Sequence, residues 1–194
     1  MRIAFVYNGA ENLGIEYISA VLKSNGYSTE LFFDPAIFSG DQLINNASLA
    51  KIFSMDKKII DACIKSKPDV IAFSVYTGNY QWCLKLAKRI KSVLKVPIVF
   101  GGVHITATDA DVLSHNFVDY AVIGEGEYAM LDLIKHIENN NSTEKLFDIP
   151  NIAFKYRRKI HVNSPRPYIR DLDNLPPPTR TCSMIKSRCL QIII

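Results

Sequence analysis

Val70-Ile71-Ala72-Phe73-Ser74-Val75 is apolar at every position but one, is introduced by Pro68-Asp69, and runs into Thr77-Gly78-Asn79. A short run of this kind, rich in β-branched and aromatic residues, is what a parallel strand covered on both faces requires. A strand with one wet face would alternate instead. Working toward the C-terminus, residues 80–94 carry Trp82, Leu86, Ile90 and Val93 on one helical stripe. Residues 97–100 then read as a strand, 109–115 as a short helix, 118–123 as a strand and 128–138 as a helix. Toward the N-terminus, residues 2–7 form a β-rich run, 8–12 a loop, and Leu13, Tyr17, Ile18, Val21 and Leu22 recur at helical spacing up to Gly26. Residues 29–33 read as a further strand, and 41–67 are helical in pattern, in more than one piece.

Strands alternating with helices across residues 1–140 predict an α/β fold. The expected form is a doubly wound, Rossmann-like parallel sheet of five strands in the flavodoxin-like order 2-1-3-4-5. Ligands of such sheets sit beyond the carboxyl ends of the strands, at the switch between strands 1 and 3. The loops at residues 8–14, 74–79, 101–106 and 124–127 are therefore where a site is expected. After the polar break Asn139-Asn140-Asn141-Ser142 the pattern changes. Residues 151–156 and 159–163 look like a hairpin around Arg157-Arg158, although two arginines suit a two-residue turn poorly. Pro165, Pro167 and Pro176-Pro177-Pro178 make the rest a stiff connector. The expected organisation is a domain at 1–140, a hairpin and linker at 141–183, and the onset of another unit at 184–194.

The 194 residues are 48% hydrophobic and 22% charged, which excludes a disordered chain. A net charge of +4, with basic residues scattered among acids, gives no case for nucleic acid or an anionic membrane surface. No apolar run reaches membrane-spanning length and no signal-peptide pattern follows Met1. Four cysteines, widely spaced, do not make a disulfide framework, so the expected compartment is the cytoplasm. Cys63 and Cys83 are expected to be small packing residues.

The loops exclude several occupants of this fold. A phosphoacceptor receiver needs an acidic pair after strand 1 and an Asp ending strand 3 to hold a divalent cation; here those places offer Asn8 and residues 74–76. A flavin phosphate is disfavoured by residues 8–14, which contain no Ser or Thr and carry Glu11. Gly124-Glu125-Gly126-Glu127-Tyr128-Ala129 matches G-x-G-x-x-A, but it follows the last strand and would turn two acids toward a pyrophosphate. A glycine-enabled tight turn is the better reading. Ser74, Thr77 and Asn79 place small polar groups beside the switch point, though Ser and Asn also serve as turn and cap residues. Gly101-Gly102 permits close approach of backbone to another loop or to a flat ligand. His104 lies on the same rim, where a lone histidine is more often a surface hydrogen-bonder than a ligand. Trp82 reads as helix packing and Arg157-Arg158-Lys159 as a solvated hairpin tip.

As a set, NLGIEYISAVLKSNGY (12–27), PDVIAFSVYTGN (68–79), KVPIVFGGVHIT (95–106) and VDYAVIGEGE (118–127) resemble the N-terminal cobalamin-binding domain of cobalamin-dependent radical SAM enzymes. The hairpin and RDLDNLPPP (170–178) resemble the linker that precedes the radical SAM barrel there. The resemblance implies a corrin ring over the carboxyl edge of the sheet, with the nucleotide tail running down beside strands 1 and 3. Ser74, Thr77 and Asn79 would line the tail and ring edge, Gly101 and Gly102 would let the tail pass, and Gly124, Glu125 and Gly126 would close the far rim. Asn12, Gly14, Gly78 and His104 complete the expected cofactor-binding set, with no catalytic residue and no metal ligand. A large, amide-fringed ligand suits small polar side chains distributed over several loops.

The chain departs from its relatives' patterns twice. The methionine-synthase type of cobalamin domain supplies an axial histidine from D-x-H-x-x-G; aligned on Gly14, this chain has Gly9 for the Asp and Glu11 for the His. The resemblance therefore implies cobalamin held without a histidine ligand, with Tyr76 the candidate to cover the lower face. A radical SAM barrel opens near S-R-G-C-x-x-x-C-x-x-C, whose thiolates hold a [4Fe–4S] cluster. Ser187-Arg188-Cys189 resembles its approach, but Ile193 stands where a second thiol is needed, and Cys182 is unsuitably spaced. No iron–sulfur cluster or SAM is then expected in this chain, and any barrel would come in trans or from the intact gene. The competing readings are a degenerate domain that docks a partner without cobalamin, and an ordinary flavodoxin-like small-molecule binder.

Overall fold

The computed structural model describes residues 1–9, 12–35 and 55–178. The elements are β1 (Arg2–Asn8), α1 (Leu13–Ser24), β2 (Ser28–Asp34), α2 (Asp56–Ser66), β3 (Val70–Ser74), α3 (Tyr80–Val93), β4 (Ile98–Gly101), α4 (Val103–Ala107), β5 (Tyr120–Val122), α5 (Glu127–Glu138), β6 (Ile152–Tyr156) and β7 (Lys159–Val162). Short 3-10 turns at Thr77–Asn79, Asp111–Ser114, Thr143–Asp148 and Leu172–Asn174 connect them. The part of the 41–67 helical pattern before Met55 lies outside the described residues, as do Cys182, Cys189 and residues 184–194.

Alternation along the strands divides the core. Ala4 and Val6 of β1, Ile71 and Phe73 of β3, and Ile98 and Phe100 of β4 meet Ile59 and Cys63 of α2 and Leu86 and Ile90 of α3 on one face. Ile3, Phe5, Val70, Ala72 and Val99 turn to the other face, under Ile15, Val21 and Leu22 of α1 and Met130, Leu133 and Ile134 of α5. Because both faces are covered, β3 carries apolar residues on each side, which is why its sequence is continuous rather than alternating. Phe73 and Phe100 stack with ring centroids 5.0 Å apart. The stripe residue Trp82 packs beside α2 and donates from Nε1 to Asp56 Oδ1 at 3.0 Å. Cys63 and Cys83 are buried free thiols within that layer, and burial pushes the Cys63 thiol up to about 12.

The strand order is β2-β1-β3-β4-β5-β6-β7, so the sheet has seven strands and not five. The parallel part keeps the expected 2-1-3-4-5 order. The correction comes from the hairpin: β6 runs antiparallel to β5, pairing Val122 with Ile152, Ala121 with Ala153 and Tyr120 with Phe154. Ile152, Ala153 and Phe154 are buried there, so the hairpin extends the sheet. Its turn uses Arg157 and Arg158 at φ 49° and 65°, the twist-matched conformation that usually selects Asn-Gly. The helix expected at 109–115 is also revised. α4 begins six residues earlier than that span, within the loop expected at 101–106, and Asp109 and Ala110 at positive φ separate it from a 3-10 turn.

Candidate functional site

A cavity of about 420 Å³ lies between the sheet and the α1/α5 layer, at the carboxyl ends of the parallel strands. Its floor and walls are apolar: Phe5, Ala72 and Val99 from the sheet, Ile15 and Ile18 from α1, and Met130 from α5. Asn12, Gly14, Ser74, Gly101, Gly102, Gly124, Glu125 and Gly126 also line it. The structure thus brings eight of the expected site residues around one space at the switch point, as the topology demands.

Each rim is held by specific hydrogen bonds. Asn12 caps α1, its Oδ1 accepting from the Ile15 N–H at 3.1 Å. Its Nδ2 donates to Ser74 Oγ at 3.0 Å, tying the loop after β1 to the end of β3 across the switch. On the far side, the Gly124 N–H donates to Thr106 Oγ1 at 2.9 Å. Asn151 donates from Nδ2 to the Ile123 carbonyl at 2.6 Å and accepts on Oδ1 from the Arg166 N–H at 2.6 Å. Glu125 Oε2 accepts from the Ile169 N–H at 2.9 Å. Glu125 thereby anchors the extended segment after β7.

Four expected residues lie outside the cavity lining. Asn79 is 1% exposed and bonded at both ends of its amide: Oδ1 accepts from the Tyr76 N–H at 2.9 Å and Nδ2 donates to the Ser74 carbonyl at 3.2 Å. It shapes the β3–α3 turn. Thr77 Oγ1 and His104 Nδ1 are 3.3 Å apart, and the His104 ring lies on Tyr80 with centroids 4.3 Å apart. Gly78 leaves room for Tyr76, whose ring a Cβ at that position would approach to 2.6 Å. Gly102 is a cavity residue, but its close approach is to another loop: at φ 103°, an added Cβ would lie 2.6 Å from the Val75 carbonyl oxygen. The Val75 N–H donates to the Gly101 carbonyl at 2.8 Å and the His104 N–H to the Val75 carbonyl at 3.1 Å, so this junction is knitted from backbone.

Residues with polar groups outside the expected cofactor-binding set also line the cavity, among them Tyr76, the candidate to cover the lower face. Tyr7 and Tyr76 line it, with ring centroids 6.4 Å apart, and both hydroxyls lie over Gly9, where an added Cβ would be 3.3 Å and 3.5 Å from them. Glu127, the first residue of α5, is the other. Its Oε2 is buried and has no hydrogen-bond partner among the described residues. Burial raises its pKa, backbone N–H groups of Glu127 and Gly126 oppose the rise, and the neighbouring Glu125 adds to it. The motif reading used Glu127 only as an argument against a pyrophosphate. An acid in the first turn of a helix whose buried positions are apolar but for His136 was the available signal.

Among the described residues no histidine lines the cavity. Among the described residues no group of three His, Cys, Asp or Glu side chains is arranged to hold a metal ion, and no helix is long and apolar enough to cross a membrane.

A family model described as B12 binding domain matches residues 2–134. The chain is 26% identical over 190 residues to an anaerobic magnesium-protoporphyrin IX monomethyl ester cyclase of Cereibacter sphaeroides, covering 91% of this chain and 29% of that protein. It is 36% identical over 70 residues to TokK of Streptomyces tokunonensis, a cobalamin-dependent radical SAM methyltransferase, covering 35% of this chain and 10% of that one. The solved structure of OxsB, a cobalamin-dependent S-adenosylmethionine radical enzyme with aqua-cobalamin and S-adenosylmethionine bound, superposes with a TM-score of 0.66 at 18% identity. That match covers 86% of this chain and 22% of the other and shows a shared fold. The chain spans about a third of the length of the first curated relatives that it matches.

Proposed function

The chain belongs to the B12-binding domain family, and on that premise we propose that it holds cobalamin with the corrin over the carboxyl edge of the sheet and the nucleotide tail in the cavity beneath α1 and α5. The observation that carries this reading is the cavity itself. It is apolar, deep enough for a flat heterocycle, rimmed by Gly101, Gly102, Gly124 and Gly126, and open at the switch point where such sheets receive ligands. Bound cobalamin supplies a cobalt centre able to carry a methyl group. The chain's own residues bind and orient it: Asn12 and Ser74 fix one rim, Glu125 and Asn151 the other.

The same geometry supports binding without a histidine ligand. His104 is engaged with Thr77 and Tyr80 outside the cavity lining, and Tyr76 stands at the mouth with Tyr7. Glu11, at the place of the axial histidine in other cobalamin domains, lies outside the described residues. Tyr76 covers the lower face of the corrin in this reading.

We infer further that the domain serves a longer protein of the radical SAM type. The segment after β7 would carry the chain from the sheet toward a barrel beginning at 184–194, with iron–sulfur cluster and SAM held by that barrel. Methyl transfer or other radical chemistry would then be the property of the assembly, in the cytoplasm.

The test is retention of cobalamin. Purified chain mixed with hydroxocobalamin and desalted should keep the cofactor at micromolar protein, and its visible spectrum should respond to Tyr76→Ala but not to His104→Ala. No retained cobalamin would reject the binding reading. A spectrum shifted sharply by His104→Ala would restore an axial histidine.

A further inference from the structure

We propose that Glu127 reads the nucleotide base of the corrinoid, its neutral carboxyl group donating a hydrogen bond to the ring nitrogen left free when the base is not bound to cobalt. The inference rests on the reading that the tail enters the cavity. Glu127 lines a cavity whose other deep walls are Phe5, Ile15, Ile18, Val99 and Met130, and its Oε2 is buried without a partner among the described residues. A buried polar atom left in this state costs stability unless something completes it. Among the described residues no Lys, Arg or His lines the space to do so.

The polar complement must therefore come from the occupant. A benzimidazole base is apolar over both faces and most of its edge, which suits these walls, and offers one in-plane nitrogen. In the neutral base that nitrogen accepts and does not donate, so against a neutral base the carboxyl carries the proton. The surroundings favour this state. Burial and the adjacent Glu125 both disfavour the charged form, and the other titratable groups lining the cavity, Tyr7 and Tyr76, supply no positive charge. The backbone N–H groups of Gly126 and Glu127 act on the carboxyl in the opposite sense but do not reverse the shift.

The experiment compares three cobamides on the full chain: methylcobalamin, methylcobinamide, which lacks the nucleotide tail, and a methylated cobamide with a phenolic lower base, which has no ring nitrogen. Wild type should bind methylcobalamin about tenfold tighter than the phenolic cobamide, the difference expected of one buried hydrogen bond. Glu127→Ala should remove that preference and leave methylcobinamide unaffected. Glu127→Gln, which keeps a donor, should retain most of it. Equal affinity of wild type for methylcobalamin and methylcobinamide would defeat the premise that the tail enters the cavity. A preference for methylcobalamin over methylcobinamide that survives Glu127→Ala unchanged would overturn the role of Glu127 while leaving the premise standing. Glu127→Gln losing as much as Glu127→Ala would overturn the direction of the hydrogen bond. Where Glu127→Ala fails to fold, equal binding of the phenolic and benzimidazole cobamides by wild type overturns the proposal.

Discussion

Replacing Asn79 by Ala separates a structural residue from a ligand contact. In the folded chain its amide satisfies the Tyr76 N–H and the Ser74 carbonyl, at 2.9 Å and 3.2 Å, from a position 1% exposed. Alanine would strand both backbone groups in a site without room for bulk water. Each unsatisfied buried group costs about 1–3 kcal/mol. Allowing for partial relaxation of the turn, the expected loss is about 3 kcal/mol. With a urea dependence of about 2–3 kcal/mol per molar for a chain of this size, the unfolding midpoint should fall by about 1 M. Asn79→Asp keeps an acceptor for Tyr76 but loses the donor to Ser74 and adds a buried charge, so it should be no better tolerated. Urea unfolding of cobalamin-free protein, followed by circular dichroism, reads the effect directly. A midpoint within about 0.2 M of wild type, combined with loss of cobalamin binding, would refute the structural assignment and return Asn79 to the cofactor.

Two further outcomes follow from particular residues. Arg157 and Arg158 both occupy positive φ in the β6–β7 turn, so Arg157→Asn with Arg158→Gly should stabilise the chain by about 1 kcal/mol, partly offset by loss of the Arg157 guanidinium 5.1 Å above the Tyr156 ring; an unchanged or lower melting temperature would contradict the turn geometry. Glu127 has a folded pKa raised above 4.5, so its contribution to stability is full below that unfolded value and is lost as pH rises through the folded one. Cobalamin-free Glu127→Gln should accordingly melt above wild type at neutral pH and converge with it near pH 4, whereas a constant offset across that range would show that desolvation is not the cause.

The parallel sheet was legible because its signal is local and repeated. Residues 70–75 and the stripe of α3 each state their burial in their own spacing, and alternation of strand and helix implies a parallel sheet with right-handed crossovers, of which 2-1-3-4-5 is one of the common orders. The hairpin's pairing was not legible, because nothing in residues 151–163 reveals whether β5 has an open edge to receive them. The site was legible as a set of loops and less so as side chains. Asn12 and Ser74 meet as the topology implies, but Asn79 turns inward to backbone and His104 to Tyr80. Short polar side chains serve turns and ligands equally well, and only their partners distinguish the two. Glu127 escaped notice because a first-turn glutamate ordinarily complements the helix dipole from solvent.

The sheet is unequally sewn. β1 and β2 are joined through seven residue pairs, from Arg2 with Ser28 to Asn8 with Asp34, whereas β4 and β5 share two, Val99 with Tyr120 and Phe100 with Ala121. The molecule therefore consists of two panels meeting along a narrow seam, and least backbone bonding need be given up to part them there. Ala72, Val99 and Gly101 belong to one panel, Val122, Gly124 and Met130 to the other, and all six border the same cavity. An occupant seated between them would act as a rivet across the line where the fold is thinnest.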